Sequence, residues 1–244
     1  MNFRLDRLAV CLLAALLVTF GAAKPVGADI KDADRATLDR LIGEYIRANP
    51  EVVRDALLSL ADREAAERRE QAMFILRSDE GDPFLGNPDA SFVIYEFSDY
   101  NCGYCKRVFG PLQELIASDG DIKLVIKEFP ILSESSLLAA QAGIAAQAQG
   151  VFEDFHVAMM TSRGAISMDS ILAAAKSAGA DLDRLQEDMK SPAVEAIISR
   201  THAAAQQLEI SGTPGLVIGD QVIPGAIGLD QMRQIIAAER EAKG

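Results

Sequence analysis

Apolar residues in the first third of the chain follow a helical period. They recur at spacings of three and four between residues 38 and 46, which predicts an amphipathic helix. Asn49-Pro50-Glu51 ends this helix and begins a second one, because asparagine caps helices and proline suits the first helical position. A mixed-charge run over residues 62–70 then predicts either a solvated helix face or a semi-rigid helical linker. We therefore expect a helical extension over residues 29–80.

The pattern changes at two turn motifs, Gly81-Asp82-Pro83 and Gly86-Asn87-Pro88-Asp89, which mark a domain boundary. The segments that follow are, in chain order, a strand over residues 92–97, a helix over 103–118, a strand over 122–129, a helical block over about 133–209, a hairpin around Gly219-Asp220 and a helix over 230–241. The predicted order is therefore βαβ, a helical block and ββα, in a domain over residues 81–244.

Residues 1–28 have the pattern of a cleavable signal peptide. Arg4 and Arg7 precede an apolar run over residues 8–20, and small residues end the segment at Val26-Gly27-Ala28. We expect cleavage after Ala28, with cleavage after Ala23 as the alternative. A retained membrane anchor is the competing interpretation, but the run is too short to span a bilayer. The sequence therefore predicts an exported protein.

Removal of the signal peptide changes the charge and the cysteine count. The full chain of 244 residues has a formal net charge of −12 and three cysteines. The signal peptide carries Cys11 and three basic residues against one acidic residue, so the mature chain is more acidic still. Such a chain is a poor ligand for nucleic acid or anionic lipid. Its two remaining cysteines are too few for a disulfide scaffold, and we expect them to carry chemistry.

These two cysteines form Cys102-Gly103-Tyr104-Cys105, where a predicted strand meets a predicted helix. This spacing is typical of a dithiol redox site. Free N–H groups at the helix N-terminus favour a thiolate at Cys102, and Cys105 lies close enough to close a disulfide with it. Half of a zinc site is the competing interpretation, but there is no second CxxC, and both histidines lie in the helical block. We expect no metal and no cofactor.

The domain resembles the thioredoxin fold of the DsbA family, an α/β fold with an inserted helical domain. The resemblance rests on the element order, on residues 96–106 around the CxxC, on Lys127-Glu128-Phe129-Pro130 and on Gly212-Thr213-Pro214. The extension over residues 34–73 resembles the N-terminal domain of the suppressor-of-copper-sensitivity C subgroup. In that subgroup the extension can trimerise the protein, although some relatives are monomeric.

The resemblance implies roles for the residues that would react. Cys102, exposed at the helix N-terminus, would be the nucleophile, and Cys105 would be the resolving cysteine. Glu96 would accept the proton of the resolving thiol, and its parity in the strand places it with apolar, inward positions. An exposed strand glutamate is the alternative. Lys127 is a candidate partner of Glu96, with the strand register left open.

The resemblance also implies a substrate-binding surface made of Gly103, Tyr104, Thr213 and Pro214. Pro214 is expected to be cis, so that the backbone of Thr213 can pair with an extended substrate strand. The Gly-Tyr dipeptide between the cysteines, and the threonine before the proline, resemble those of bacterial disulfide isomerases and reductases.

We therefore expect a periplasmic thiol–disulfide oxidoreductase that acts as a protein disulfide isomerase or reductase. Its partners would be unfolded or misoxidised exported proteins, a membrane redox protein that resets the dithiol, and further copies of itself, with a trimer as one form. Two alternatives stay open. One is a monomeric oxidant that introduces disulfides, and the other is a copper(I)-binding protein that uses the two thiolates.

Overall fold

The computed structural model describes residues 32–243, so the predicted signal peptide lies outside the described residues. The helices are Asp32–Ala48 (α1), Pro50–Arg77 (α2), Gly103–Ser118 (α3), Glu134–Ala148 (α4), Phe152–Thr161 (α5), Met168–Ser177 (α6), Leu182–Asp188 (α7), Pro192–Gln207 (α8) and Leu229–Lys243 (α9). The strands are Phe84–Gly86 (β1), Phe92–Ser98 (β2), Ile122–Glu128 (β3), Gly215–Ile218 (β4) and Gln221–Pro224 (β5). No helix within this range is both long and apolar enough to span a membrane.

The described residues divide into two compact units, which meet between Leu57 and Leu58 of α2. Within the first unit, the predicted helix break is confirmed, since α1 ends at Ala48 and α2 begins at Pro50. The carbonyl oxygen of Tyr45 accepts both the backbone N–H of Asn49 at 2.9 Å and its side-chain amide at 2.8 Å, which closes the end of α1. Residues 62–70 of α2, the mixed-charge run, are all exposed, so both a solvated helix face and a helical linker stay open as predictions.

The second unit contains a five-stranded mixed sheet in the order β1-β3-β2-β4-β5. Strands β2 and β3 are parallel, with Ser98 opposite Glu128, and α3 connects them. Strand β4 runs antiparallel to β2 and forms the predicted hairpin with β5. Helices α4–α8 form the block between β3 and β4. The predicted α/β thioredoxin fold with an inserted helical domain is therefore confirmed.

Successive side chains of β2 point to opposite faces of the sheet, and a hydrophobic core lies on each face. Ile94 packs on the face that also buries both cysteines of α3 and much of the helical block. Tyr95 and Phe97 pack on the opposite face, against α8 and the buried residues of α2 between 72 and 76. The core of this unit therefore includes residues that precede position 81, where the turn pattern places the domain boundary. That boundary itself stays a prediction.

The sequence pattern predicts no strand at residues 84–86, where the turn motif of residues 81–83 is followed by that of residues 86–89. In the structure, residues 84–86 form β1, which pairs antiparallel with the edge of β3, with Leu85 opposite Leu124. Gly86 ends the strand with φ +83°, and a Cβ there would lie 2.6 Å from the carbonyl oxygen of Ile122. Three residues are too few to show a period of two, so the exposed edge of β3 decides their conformation.

Lys127 of β3 is fully buried, and the pairing with Glu96 that the sequence suggests is wrong. Its Nζ lies 2.5 Å from Oδ2 of Asp82, which also contacts Nη2 of Arg200 at 3.1 Å. Glu96 is opposite Ile126 in the register, so Lys127, one position further, points to the other face of the sheet. The ion pairs connect β3 to α8 and to the segment before β1.

Candidate active site

The sulfur of Cys102 lies between the N-terminus of α3 and a loop that is distant in sequence. Cys102 is the N-cap of α3, and its Sγ accepts a hydrogen bond from the backbone N–H of Cys105 at 3.2 Å. The Cys102 thiol donates to the carbonyl oxygen of Thr213, also at 3.2 Å. Both cysteines are free thiols. When Cys102 ionises, the N–H groups of the first turn are in place to stabilise its negative charge.

The two cysteines are both buried, which corrects the expectation that Cys102 is exposed. Cys102 keeps 5% of its surface and Cys105 none. The contact with Thr213 explains the burial of Cys102. The loop that contains Thr213 covers the sulfur, which the N-terminus of α3 alone would leave exposed to solvent. Tyr104, between the cysteines, is 61% exposed and lies under the guanidinium of Arg107, 3.8 Å from the ring centre.

Burial raises the pKa of the Cys105 thiol, and the negative charge of Glu96 and a hydrogen bond with Cys102 raise that pKa further. Cys105 therefore remains a thiol until a nearby base removes its proton.

The peptide bond between Thr213 and Pro214 is cis, as expected from the motif. Gly215, the next residue, begins β4 and pairs with Phe97 of β2, which places the loop beside the end of the strand that leads to the dithiol. The carbonyl oxygen of Pro214 accepts from the N–H of Gly225 at 2.9 Å. Of the four residues predicted to bind substrate, Thr213 contacts Cys102 directly, and the binding role of Gly103, Tyr104, Thr213 and Pro214 remains a prediction.

Glu96 of β2 is buried, as its parity predicts, with 1% of its surface exposed. The hydroxyl of Ser98 donates to its Oε1 at 3.1 Å. Burial raises the pKa of Glu96 to about 7, and the bond from Ser98 offsets only part of this effect. A carboxyl group that titrates near neutral pH beside a buried thiol is suited to exchange protons with it.

We expect the Glu96→Gln variant to be more stable than the wild type above neutral pH. The folded protein raises the pKa of Glu96, so the proton stabilises the folded state, and this stabilisation is lost as the pH rises through about 7. Near pH 4 the two proteins should be equally stable, and near pH 8 the variant should gain roughly 3 kcal/mol. Urea unfolding at both pH values measures the difference. Glu67→Gln, at an exposed position of α2, is the control, and parallel pH curves for Glu96→Gln and wild type would contradict the expectation.

Polar residues around the dithiol, Asp99 and Asn101, connect it to the segment after β3. The carboxylate of Asp99 accepts from the N–H groups of Asn101, Ile131 and Leu132 at 2.8, 3.0 and 3.1 Å. The side-chain amide of Asn101 contacts the hydroxyl groups of three serines, at positions 133, 135 and 136, at 2.9–3.0 Å. These bonds hold the start of the helical block against the active-site loop.

A buried polar group of Tyr100, His156 and Glu128 lies beneath the dithiol, and of these the sequence analysis did not single out Glu128. The Tyr100 hydroxyl contacts Nδ1 of His156 at 2.9 Å, and burial lowers the pKa of His156 to about 3, so its ring is neutral. Glu128, at the end of β3, is 1% exposed. The sequence did contain a signal for the burial of Glu128. Ile122, Leu124 and Ile126 occupy the inward positions of β3, and Glu128 is the next position in this alternation.

The histidines do not form a metal site. The His156 ring packs against those of Phe109 and Phe152, with centroids 5.3 and 5.0 Å away. In the part of the chain that the structure describes, no group of three or more His, Cys, Asp or Glu side chains could hold a metal ion.

Comparison with known proteins agrees with this geometry. Residues 93–237 match the family described as DSBA-like thioredoxin domain. A thioredoxin-like oxidoreductase from Silicibacter pomeroyi DSS-3 is 39% identical, and the match covers 68% of this chain and 96% of that one with a TM-score of 0.66. A linker-deletion variant of Proteus mirabilis ScsC is 27% identical over 88% of this chain and 99% of its own, also with a TM-score of 0.66.

The chain is also similar to part of a much longer protein. The Na(+)/H(+) antiporter NhaA of Herminiimonas arsenicoxydans is 27% identical over 162 residues, which are 66% of this chain and 26% of the antiporter. The chain thus spans about a quarter of the length of this curated relative. The family match covers more than half of the chain and includes the dithiol and the loop beside it. The chain therefore belongs to the family of DsbA-like thioredoxin domains, is similar to ScsC, and is a thiol–disulfide oxidoreductase.

Proposed function

We propose that this oxidoreductase is a periplasmic protein disulfide isomerase and reductase that works as a homo-oligomer. The observation that carries the proposal is an apolar face on α1 that is exposed in the part of the chain that the structure describes. Its members are separated by three or four residues and are 39–59% exposed: Leu38, Leu41, Ile42, Tyr45 and Ile46. Folded soluble chains rarely leave such a continuous apolar surface in water. A second copy of the same helix would cover it, and closed symmetric association is the usual outcome.

The surroundings of the dithiol support binding of unfolded protein. Ile131 and Leu132 are 39% and 52% exposed, and Leu137 at the start of α4 is 41% exposed. The bonds from Asp99 and Asn101 hold this segment against the active-site loop. Exposed apolar side chains beside a reactive sulfur favour substrates whose own apolar residues have not yet been buried.

The chemistry we propose begins at Cys102. Its thiolate attacks one sulfur of a substrate disulfide, the substrate S–S bond breaks, and the other substrate sulfur leaves as a thiolate. In isomerisation, this thiolate or another one in the substrate attacks a different disulfide, and a substrate thiolate finally displaces Cys102. In reduction, Cys105 loses its proton to Glu96 and attacks the mixed disulfide, which releases reduced substrate. A buried Cys105 of high proton affinity slows this release and leaves time for isomerisation.

Removal of the N-terminal helices tests the role of assembly. Because residues 72–76 belong to the core, the shortened chain should begin at residue 58 rather than at residue 81. We expect a monomer that reduces insulin at nearly the rate of the full chain but no longer isomerises scrambled ribonuclease. A full-length variant with Leu41→Glu and Tyr45→Glu should behave in the same way, whereas Arg40→Glu, beside that face, should not. Unchanged isomerisation by the monomeric forms would show that assembly is not needed.

The redox state in the cell separates this proposal from the oxidant alternative. Thiol trapping in the periplasm should find Cys102 and Cys105 mostly reduced if a membrane partner keeps the protein as an isomerase or reductase. A mostly oxidised pair would mean that the protein introduces disulfides.

A further inference from the structure

Glu128 is a buried carboxyl group that the proposed chemistry leaves without a role. It lies opposite Ser98 in the parallel register, on the same face of the sheet as Glu96. Its surface is 1% exposed, and neither Oε1 nor Oε2 has a hydrogen-bond partner among the residues that the structure describes. A buried polar group without partners costs about 1–3 kcal/mol, so its presence needs an explanation.

The neighbouring helix leaves space for this carboxyl group. Gly143 lies in the interior of α4, where a glycine costs about 1 kcal/mol relative to alanine. A Cβ at this position would lie 2.6 Å from Oε1 of Glu128 and 3.0 Å from the hydroxyl of Tyr100. The carboxyl group and the hydroxyl therefore face the same point beside α4, and an alanine there would displace one of them.

The charges around Glu128 favour its protonated form. Burial raises its pKa well above the ordinary value, and the negative charges of Asp99, Glu96 and Asp82 add to this effect, whereas the Tyr100 hydroxyl opposes it. The other groups nearby do not offset it. His156 is neutral, and Lys127 is paired with Asp82 on the opposite face of the sheet.

The two buried carboxyl groups should therefore lose their protons in a fixed order. Glu96, with a pKa of about 7, ionises first, and its charge then holds the proton on Glu128. Asp99 differs from both in its contacts, because its oxygens accept three backbone N–H groups.

We propose that Glu128 is a proton-holding positioning residue, which keeps a proton in the core for Cys105 when Glu96 has lost its own. The proposal rests on the dithiol chemistry proposed above. When a reductant thiolate attacks Cys102 in the oxidised pair, the S–S bond breaks and its electron pair leaves on Cys105. Glu96 protonates that thiolate, and above neutral pH it first receives the proton of Glu128. Ser98, whose hydroxyl donates to Glu96, is the residue opposite Glu128 in the register and lies on the same face of the sheet. Solvent then returns a proton to Glu128.

The test compares reduction of the oxidised full-length protein by dithiothreitol at about pH 6 and pH 8.5. The rate of each variant is divided by the wild-type rate at the same pH, which cancels the ionisation of the reductant. We expect the ratio for Glu128→Gln to be near one at the lower pH and to fall roughly tenfold or more at the higher pH. Glu195→Gln, at an exposed position of α8, should give a ratio near one at both.

A ratio for Glu128→Gln that is the same at both pH values would overturn the proposal, because a purely structural role slows the reaction equally at each pH. If Glu128→Gln does not fold, Gly143→Ala, whose methyl group displaces Oε1, should show the same pH-dependent loss. Infrared difference spectra between wild type and Glu128→Gln, both oxidised and at about pH 8.5, supply a second readout. Wild type should contribute the carbonyl band of a protonated carboxylic acid, and absence of that band would also overturn the proposal. Failure of the dithiol chemistry itself would appear differently, as a wild-type protein that no thiol reduces.

Discussion

The Cys102→Ser variant should lose thiol–disulfide exchange completely, with insulin reduction and ribonuclease isomerisation both at the background rate. Cys102 is the sulfur that the N–H of Cys105 and the Thr213 loop position at the end of α3. Serine keeps the size of the side chain but cannot form a mixed disulfide at neutral pH. Turbidity and activity-recovery assays measure the two losses.

Cys105→Ser is the matched control, because it changes the neighbouring thiol by the same single atom. It should still attack substrates through Cys102 but should accumulate mixed disulfides, since nothing resolves them. Non-reducing gels or mass spectra of the intact protein detect these adducts. Exchange activity that survives in Cys102→Ser, or adducts that form on Cys105 in its absence, would reverse the assignment of the two cysteines.

The second large effect concerns stability. Asp82→Ala should lower the free energy of unfolding by about 3–5 kcal/mol, because it leaves Lys127 as an unpaired buried cation. Both side chains of this pair are fully buried, with Nζ 2.5 Å from Oδ2. Arg200, 26% exposed, can turn toward solvent, whereas Lys127 cannot. Chemical denaturation at constant pH measures the loss.

A second ion pair of the same strand provides the control. Lys123 contacts Asp79 at 2.7 Å with side chains that are 19% and 25% exposed. Asp79→Ala should therefore cost at most about 1 kcal/mol, since solvent screens the charge that remains. The double variant with Asp82→Ala and Lys127→Met should recover most of the lost stability, because no charge then remains buried without a partner. Equal losses for Asp82→Ala and Asp79→Ala would show that burial does not decide the strength of these pairs.

Local sequence signals were sufficient for much of the fold. The strand bounds at residues 92 and 122, the start of α3 at Gly103 and the hairpin turn at Gly219-Asp220 all lie where the pattern predicts them. Each of these signals depends on residues that are close in the chain, such as an alternating apolar run or a turn dipeptide. The parity of Glu96 also predicted its burial correctly, because alternation in a strand needs no knowledge of the partner strand.

The errors have a common physical origin in pairing between distant segments. Strand β1 forms only because the edge of β3 offers free backbone groups, and Lys127 finds Asp82 only because the register places it on the far face of the sheet. The burial of Cys102 depends likewise on a loop more than a hundred residues away. A short stretch of sequence carries no information about contacts with segments that are distant in the chain.

The sequence alone determined the two-cysteine motif at a helix N-terminus, the order of the elements and the apolar face of α1, since each follows from the period and spacing of neighbouring residues. The tertiary structure alone decided which groups surround the sulfurs. It placed Thr213 over Cys102 and brought Glu96, Tyr100 and Glu128 together beneath the dithiol. Their proton affinities follow from burial and from the charges of neighbours on other elements, and both quantities exist only after the sheet and its helices have packed.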